Sequence, residues 1–166
     1  WANAWKKYYK PFRLGEHILI VPSWEEVEAQ PGDIRITLDP GMAFGTGTHE
    51  TTSMCLTMLD QLVKSGQTVL DIGCGSGILG IAAAKLGAGR VIGSDLDPNA
   101  VQVARENAAE NGVSEIVEIH QGDLTDIPVL QNVQADVIVA NIIADVIIGL
   151  APKATAFLKK GGSFIA

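Results

Sequence analysis

The stretch from Val69 to Lys85, VLDIGCGSGILGIAAAK, constrains the fold more than any other part of the sequence. Val69, Leu70 and Ile72 form an apolar run short enough for a parallel strand covered on both faces. Gly73, Gly75 and Gly77 follow at alternate positions. A turn so dense in glycine needs backbone freedom and lets a ligand approach the main chain closely. Ile78 to Lys85 then reads as a helix of small residues, with its free N–H groups pointing at whatever sits in the turn. A tight strand-to-helix turn without a ligand is the plainer account. It leaves unexplained why three glycines spend backbone entropy that such a turn does not need.

The nature of the ligand follows from the glycine register and from one acid. Gly75-Ser76-Gly77-Ile78-Leu79-Gly80 matches the dinucleotide pattern G-x-G-x-x-G. That pattern expects its first glycine directly after the strand. Here that residue is Gly73, and counting from it puts Ile78 where the third glycine belongs. Asp71, at the mouth of the turn, would repel a pyrophosphate and attract an ammonium. S-adenosylmethionine presents an ammonium for Asp71 and a carboxylate for the N–H groups of the glycine turn. At this point the stretch resembles the first motif of the class I methyltransferases, D-x-G-C-G-S-G.

The length of 166 residues predicts one domain, and 47% hydrophobic residues are enough for a core. A formal net charge of −7 argues against a broad nucleic-acid surface and leaves room for a basic protein partner. Cys55 and Cys74 lack metal-ligand spacing, so no metal site is expected and a reduced, cytoplasmic setting is. No apolar run approaches a membrane span, and no signal peptide is apparent. The sequence opens at Trp1 and ends inside an apolar run at Ala166, which reads as a fragment of a longer protein.

Two regions are expected: a lead-in over residues 1–47, with short strands and a cofactor-covering loop, and a catalytic core over residues 48–166. Trp1 to Arg13 is aromatic and basic, either an amphipathic helix ending at Pro11 or a linker packing its aromatics on the core. Ile18–Val21 and Ile34–Leu38 read as short strands pairing in a small ribbon. Asp39 to Thr52 is a glycine-rich loop entering a helix that runs to about Lys64. Phe44 and Thr46, set among glycines and hydroxyls, suit a loop that closes over a ligand. His49 reads as a helix-start cap or as a general base.

Beyond the glycine turn, Arg90 to Asp95 is the second strand. Asp95 lies roughly twenty residues past the turn, where nucleotide-binding α/β folds set a carboxylate over a ribose diol. Asp97-Pro98 opens the next helix and Asn111-Gly112 stops it. Ile116 to His120 is the third strand. Asp123 after it is either an acceptor for an adenine amine, with Leu124 beside the ring, or a turn residue. Ala135 to Asn141 is the fourth strand, with Asn141 at the carboxyl end where α/β sheets place their chemistry. Ile142 to Lys159 reads as mostly helix and Ser163 to Ala166 as the start of a fifth strand. These elements predict a doubly wound α/β sheet of order 3-2-1-4-5, a three-layer sandwich with its ligand at the switch between the first and fourth strands. The apolar edge at Ser163–Ala166 would favour self-association.

Three pieces together are similar to the bacterial ribosomal protein L-eleven methyltransferase family: the loop from Asp39 to His49, the motif from Asp71 to Leu79, and Asn141-Ile142-Ile143-Ala144. The resemblance covers most of the chain. It implies a Rossmann-like class I methyltransferase using S-adenosylmethionine, with a large-subunit ribosomal protein as substrate. It implies cofactor contacts at Thr52, Gly73, Asp95 and Asn141, with the Phe44–His49 loop closing on the cofactor. The family also has an N-terminal recognition domain and two further strands. Without them this chain is expected to fold and bind cofactor but to methylate its protein substrate poorly. Nucleobase and glutamine methyltransferases place Asn/Asp-Pro-Pro-aromatic where Asn141-Ile142-Ile143-Ala144 stands. The lack of an aromatic favours a flexible amine, a lysine ε-amine or an α-amine, aimed by Asn141 at the methyl group. The competing readings are an NAD-dependent oxidoreductase and a catalytically silent cofactor-binding fragment.

Overall fold

The computed structural model describes residues 10–38, 49–123, 127–141, 149 and 151–166. Five parallel strands make the main sheet: β4 (Thr68–Ile72), β5 (Arg90–Asp95), β6 (Val117–Gln121), β7 (Ala135–Ala140) and β8 (Leu158–Ile165). Their spatial order is β6-β5-β4-β7-β8, the predicted 3-2-1-4-5. The ladder runs Val69↔Val91 on one side of β4 and Val69↔Val137 on the other. The three central strands are covered on both faces, which is why β4, β5 and β7 are nearly continuous apolar runs, whereas the edge strand β6 alternates buried and more exposed residues. Val69, Val91, Val137 and Val139 pack on one face with Leu56, Leu59, Ile81 and Ala104. Leu70, Ile72, Ile92, Ile138 and Ala140 pack on the other with Leu130, Val133 and Ala154. These two cores are the two interfaces of a three-layer α/β sandwich.

The helices follow their sequence signals. α1 spans His49–Leu62, α2 Ile78–Lys85 and α3 Pro98–Glu110. The Asp97 side chain accepts from Asn99 N–H at 2.9 Å, with Pro98 in the first turn. α2 is buried along nearly its whole length, from Ile78 to Ala84. Its small side chains let it lie close under β4 and β5. Among the described residues no helix is long and apolar enough to cross a membrane.

The lead-in adds one strand that the sequence did not signal, β1 (Phe12–Leu14); residues 1–9, where the helix or linker is expected, lie outside the described residues. β1 pairs antiparallel with β2 (Ile18–Val21), across a turn in which Gly15 takes φ +60. β2 then pairs with β3 (Ile34–Thr37), as expected, and the pairing is parallel. A parallel partner requires a crossover, which the segment between Val21 and Ile34 supplies. Ile18, Ile20, Ile36 and Leu38 join the core shared by α1 and α2. Asp60 of α1 clasps the β1–β2 turn: its carboxylate accepts from Glu16 N–H (2.8 Å) and His17 N–H (3.1 Å) and meets His17 Nδ1 at 2.9 Å. Asn111, ending α3, accepts from Thr37 N–H (2.7 Å) and donates to Thr37 O (3.0 Å), continuing the outer edge of β3.

The fifth strand also starts earlier than expected. Residues 151–154 are helical, Thr155–Phe157 form one 3₁₀ turn, and β8 begins at Leu158 rather than Ser163. The pairing jumps from Ala135↔Leu158 to Val137↔Ser163, so β8 bulges. Gly162 makes the bulge possible, because a Cβ there would sit 2.9 Å from Asp136 O. The remainder of the expected 142–159 helix, apart from residue 149, lies outside the described residues.

Candidate active site

The carboxyl ends of β4, β5 and β7 are neighbours in the sheet, and they bring the Gly73–Gly77 turn, Asp95 and Asn141 to one edge. Gly73, Gly75 and Gly77 adopt φ of 66, 53 and 83, a region that favours glycine. Their roles differ. A Cβ on Gly77 would lie 3.1 Å from Ala104 Cβ, so this glycine lets α3 approach. Among the described residues beyond its chain neighbours, no atom lies within 4 Å of where a Cβ of Gly75 would stand.

The turn holds itself together with the N–H groups the sequence assigned to a ligand. Cys74 N–H donates to Ser94 O (2.9 Å) and Gly77 N–H to Cys74 O (2.8 Å). Gly75 N–H donates to Asp95 Oδ2 at 2.9 Å. Gly75 therefore offers a ligand an open flank, while its N–H is spent on Asp95. From behind, the buried Asn107 of α3 donates to Ser76 O at 2.9 Å. The other oxygen of Asp95 accepts from Asp97 N–H at 2.9 Å, so this carboxylate spans the turn and the start of α3.

Asp71 stands inside β4 rather than at the mouth of the turn, and is 1% exposed. Its Oδ2 accepts from Gly80 N–H of α2 at 3.1 Å. Its Oδ1 is buried without a hydrogen-bond partner among the described residues. Burial pushes the Asp71 carboxyl up to about 7, against the Gly80 hydrogen bond and with help from the Asp95 charge. Burial also raises the thiols of Cys74 and Cys55, and the Asp71 carboxylate pushes both further the same way.

Asn141, half-buried just beyond β7, donates from Nδ2 to Thr52 Oγ1 at 2.8 Å. Thr52 lies in the first turn of α1 and is 2% exposed. Asp123 lies just past β6, next to Gly122, whose N–H donates to Asp95 O at 2.9 Å. Phe44, Thr46 and Leu124, with the side chain of His49, lie outside the described residues. A cleft of about 410 Å³, lined by Arg105, Ser114, Glu118 and His120 among others, opens between α3 and β6 and includes none of the candidate residues.

Two features escaped the sequence reading. Leu96 is 71% exposed between Asp95 and Asp97, a large apolar surface at the carboxyl end of β5. An apolar residue between two acids just past a strand was the available signal. Asn107 and Asn111, one turn apart in α3, brace the glycine turn and β3 respectively. The sequence alone marks Asn111 only as the stop of α3 and gives Asn107 no role.

The sequence profile described as Ribosomal protein L11 methyltransferase (PrmA) matches residues 1–166. The Ribosomal protein L11 methyltransferase of Alkaliphilus metalliredigens is 56% identical over 166 residues, 100% of this chain and 51% of that protein. The chain thus spans about half the length of the curated relatives it matches. The crystal structure of ribosomal protein L11 methylase from Lactobacillus delbrueckii subsp. bulgaricus superimposes with a TM-score of 0.82 at 36% identity, covering 94% of this chain and 79% of that one. An RNA methyltransferase from Salinibacter ruber, solved with S-adenosyl-L-homocysteine, gives 0.57 at 31% identity, covering 69% of this chain and 75% of that one. With the family profile matched from end to end and the sheet order and glycine turn in place, the chain belongs to the ribosomal protein L11 methyltransferase family.

Proposed function

We propose that this chain forms the cofactor-binding part of an S-adenosylmethionine-dependent methyltransferase. Its acceptor is an amine, a lysine ε-amine or an α-amine, of large-subunit ribosomal protein L11 in the cytoplasm. The observation that carries this reading is the meeting of the glycine turn, Asp95 and Asn141 at the ends of three adjacent strands. Residues 48–166 make the core in this reading, and residues 1–47 the lead-in and covering loop.

The residues present fit the group. Asp71 supplies a buried carboxylate oxygen without a partner among the described residues, which draws the ammonium of the amino-acid end. The positive φ values of Gly73, Gly75 and Gly77 shape the turn around it, and the flank of Gly75 admits it. Asp95, already aligned by two backbone N–H groups, has lone pairs left for a ribose diol. Leu96 offers the adenine an apolar surface, and Asp123 an acceptor for its amine. Phe44, Thr46 and Thr52 belong to the covering loop and the helix it enters. Bound S-adenosylmethionine supplies a methyl group activated by its sulfonium. Little acid–base chemistry is then asked of the protein, whose work is alignment and exclusion of water. Asn141 accepts an N–H of the neutral amine and aims its lone pair.

Photo-crosslinking of radiolabelled S-adenosylmethionine to the chain tests the reading. Labelling that unlabelled S-adenosylhomocysteine suppresses and NAD does not is the expected result. Labelling indifferent to S-adenosylhomocysteine contradicts it.

A further inference from the structure

Asn141 helps an incoming amine only if the correct branch of its amide faces it. One branch donates and the other accepts. An amine about to gain a methyl group brings N–H, so it needs Oδ1; Nδ2 would meet it donor to donor. A half-turn about the last side-chain torsion exchanges the two branches, and that torsion has two broad wells. Some neighbour must therefore choose between them.

Thr52 is placed to choose. Its Oγ1 receives Asn141 Nδ2 at 2.8 Å, from a residue 89 positions away in sequence. Thr52 is 2% exposed, so water does not compete for the bond. Neighbouring Cys55, Leu56 and Leu59 fix α1 in the core, which makes the hydroxyl a rigid reference point. A helical threonine tends to send its own O–H back to a carbonyl one turn earlier. Thr57 in the same helix does so, donating to Ser53 O at 2.9 Å. A hydroxyl used in that way turns its lone pairs outward and accepts Nδ2 but not Oδ1.

We propose that Thr52 is a positioning residue: by occupying Asn141 Nδ2 it turns Asn141 Oδ1 toward the substrate amine. This rests on the reading of the site as that of an amine methyltransferase. It gives Thr52 a role in acceptor alignment, separate from the cofactor contact implied by family resemblance.

Sinefungin, in which a carbon bearing a primary amine replaces the sulfonium S–CH₃, puts N–H groups close to the transfer point without any protein substrate. The ratio of its affinity to that of S-adenosylhomocysteine therefore reports on Asn141 Oδ1. The 166-residue chain is titrated with both probes. The wild type prefers sinefungin. Thr52→Val, equal in shape but unable to accept, lowers that preference about tenfold, the range of one charge-assisted hydrogen bond. Its affinity for S-adenosylhomocysteine changes less than the preference does. Thr52→Ser keeps the preference, Asn141→Ala loses it as Thr52→Val does, and the double variant loses no more. Loss of the preference in Asn141→Ala but not in Thr52→Val overturns the proposal. Equal weakening of both probes by Thr52→Val also overturns it, making Thr52 a cofactor contact. Failure of the wild type to bind either probe overturns the site reading itself and the proposal with it.

Discussion

Replacing Asp71 with Asn should stabilise the fold at alkaline pH and weaken cofactor binding in the same molecule. The carboxyl is 1% exposed and, among the described residues, accepts one hydrogen bond, from Gly80 N–H, and has its other oxygen buried without a partner. Burial holds it near 7, against about 3.9 in an unfolded chain. Between about pH 4 and 7 folding therefore takes up a proton, and stability falls as pH rises. A difference of about three pKa units corresponds to roughly 4 kcal/mol lost once the folded-state group has ionised. Asn keeps an oxygen for Gly80 N–H and removes the charge, but buries an amide N–H without a partner, at about 1–3 kcal/mol. The net gain is about 1–3 kcal/mol at pH 8 and close to zero at pH 5. Urea unfolding of both proteins at the two pH values, followed by far-ultraviolet circular dichroism, reads this directly. A variant less stable than the parent at pH 8, or a difference that does not change between pH 5 and pH 8, would refute the reasoning. The accompanying loss of affinity for S-adenosylhomocysteine would mark Asp71 as a residue kept for binding at a cost in stability.

Three further changes probe other parts of the account. Asp95→Ala removes the acceptor shared by Gly75 N–H and Asp97 N–H along with the proposed ribose contact, and should weaken S-adenosylhomocysteine binding roughly 10- to 150-fold; calorimetry showing unchanged affinity would take Asp95 out of the site. Asn111→Ala strips both backbone groups of Thr37 of their partner and should cost about 2–3 kcal/mol in urea unfolding; a loss within error would mean that β3 needs no tether there. The Asp60 carboxylate raises the His17 pKa by hydrogen bonding and charge, so with Asp60 ionised the stabilisation from this pair is complete below about pH 6.5 and fades as pH rises through the folded-state value; it is lost again at acidic pH where Asp60 protonates. An NMR titration should place His17 above an ordinary histidine, and Asp60→Asn should return it there; a His17 that titrates no higher than usual contradicts the clasp.

Local signals in the sequence were enough for the core of the fold. Val69–Ile72, Arg90–Asp95 and Ala135–Ala140 are apolar runs between glycine, proline and acidic punctuation, and chirality of crossovers then limits their order. Asp97-Pro98 and Asn111-Gly112 bracket a helix by capping chemistry alone. What was not legible depends on residues distant in sequence. The parallel β2–β3 pair packs on α1 and α2 and is held at its outer edge by Asn111, none of which a local window contains. The early start of β8 depends on a bulge accommodated by Gly162 against Asp136 O. In the site, the types of Asp71, Asp95 and Asn141 could be read, but not their surroundings. A strand acid points to either face, and only the fold turns Asp71 toward Gly80. The Thr52–Asn141 bond joins a helix start to a strand end that composition and spacing do not connect.

In the proposed reading the glycine turn and its flanking acids hold S-adenosylmethionine rather than a dinucleotide. Isothermal titration of the purified 166-residue chain with S-adenosylhomocysteine, and in parallel with NAD, tests it most directly. Saturable binding of S-adenosylhomocysteine at one site per chain, weakened by Asp95→Ala, and no heat of binding with NAD are the expected results. Binding of NAD by a folded chain that ignores S-adenosylhomocysteine would contradict it.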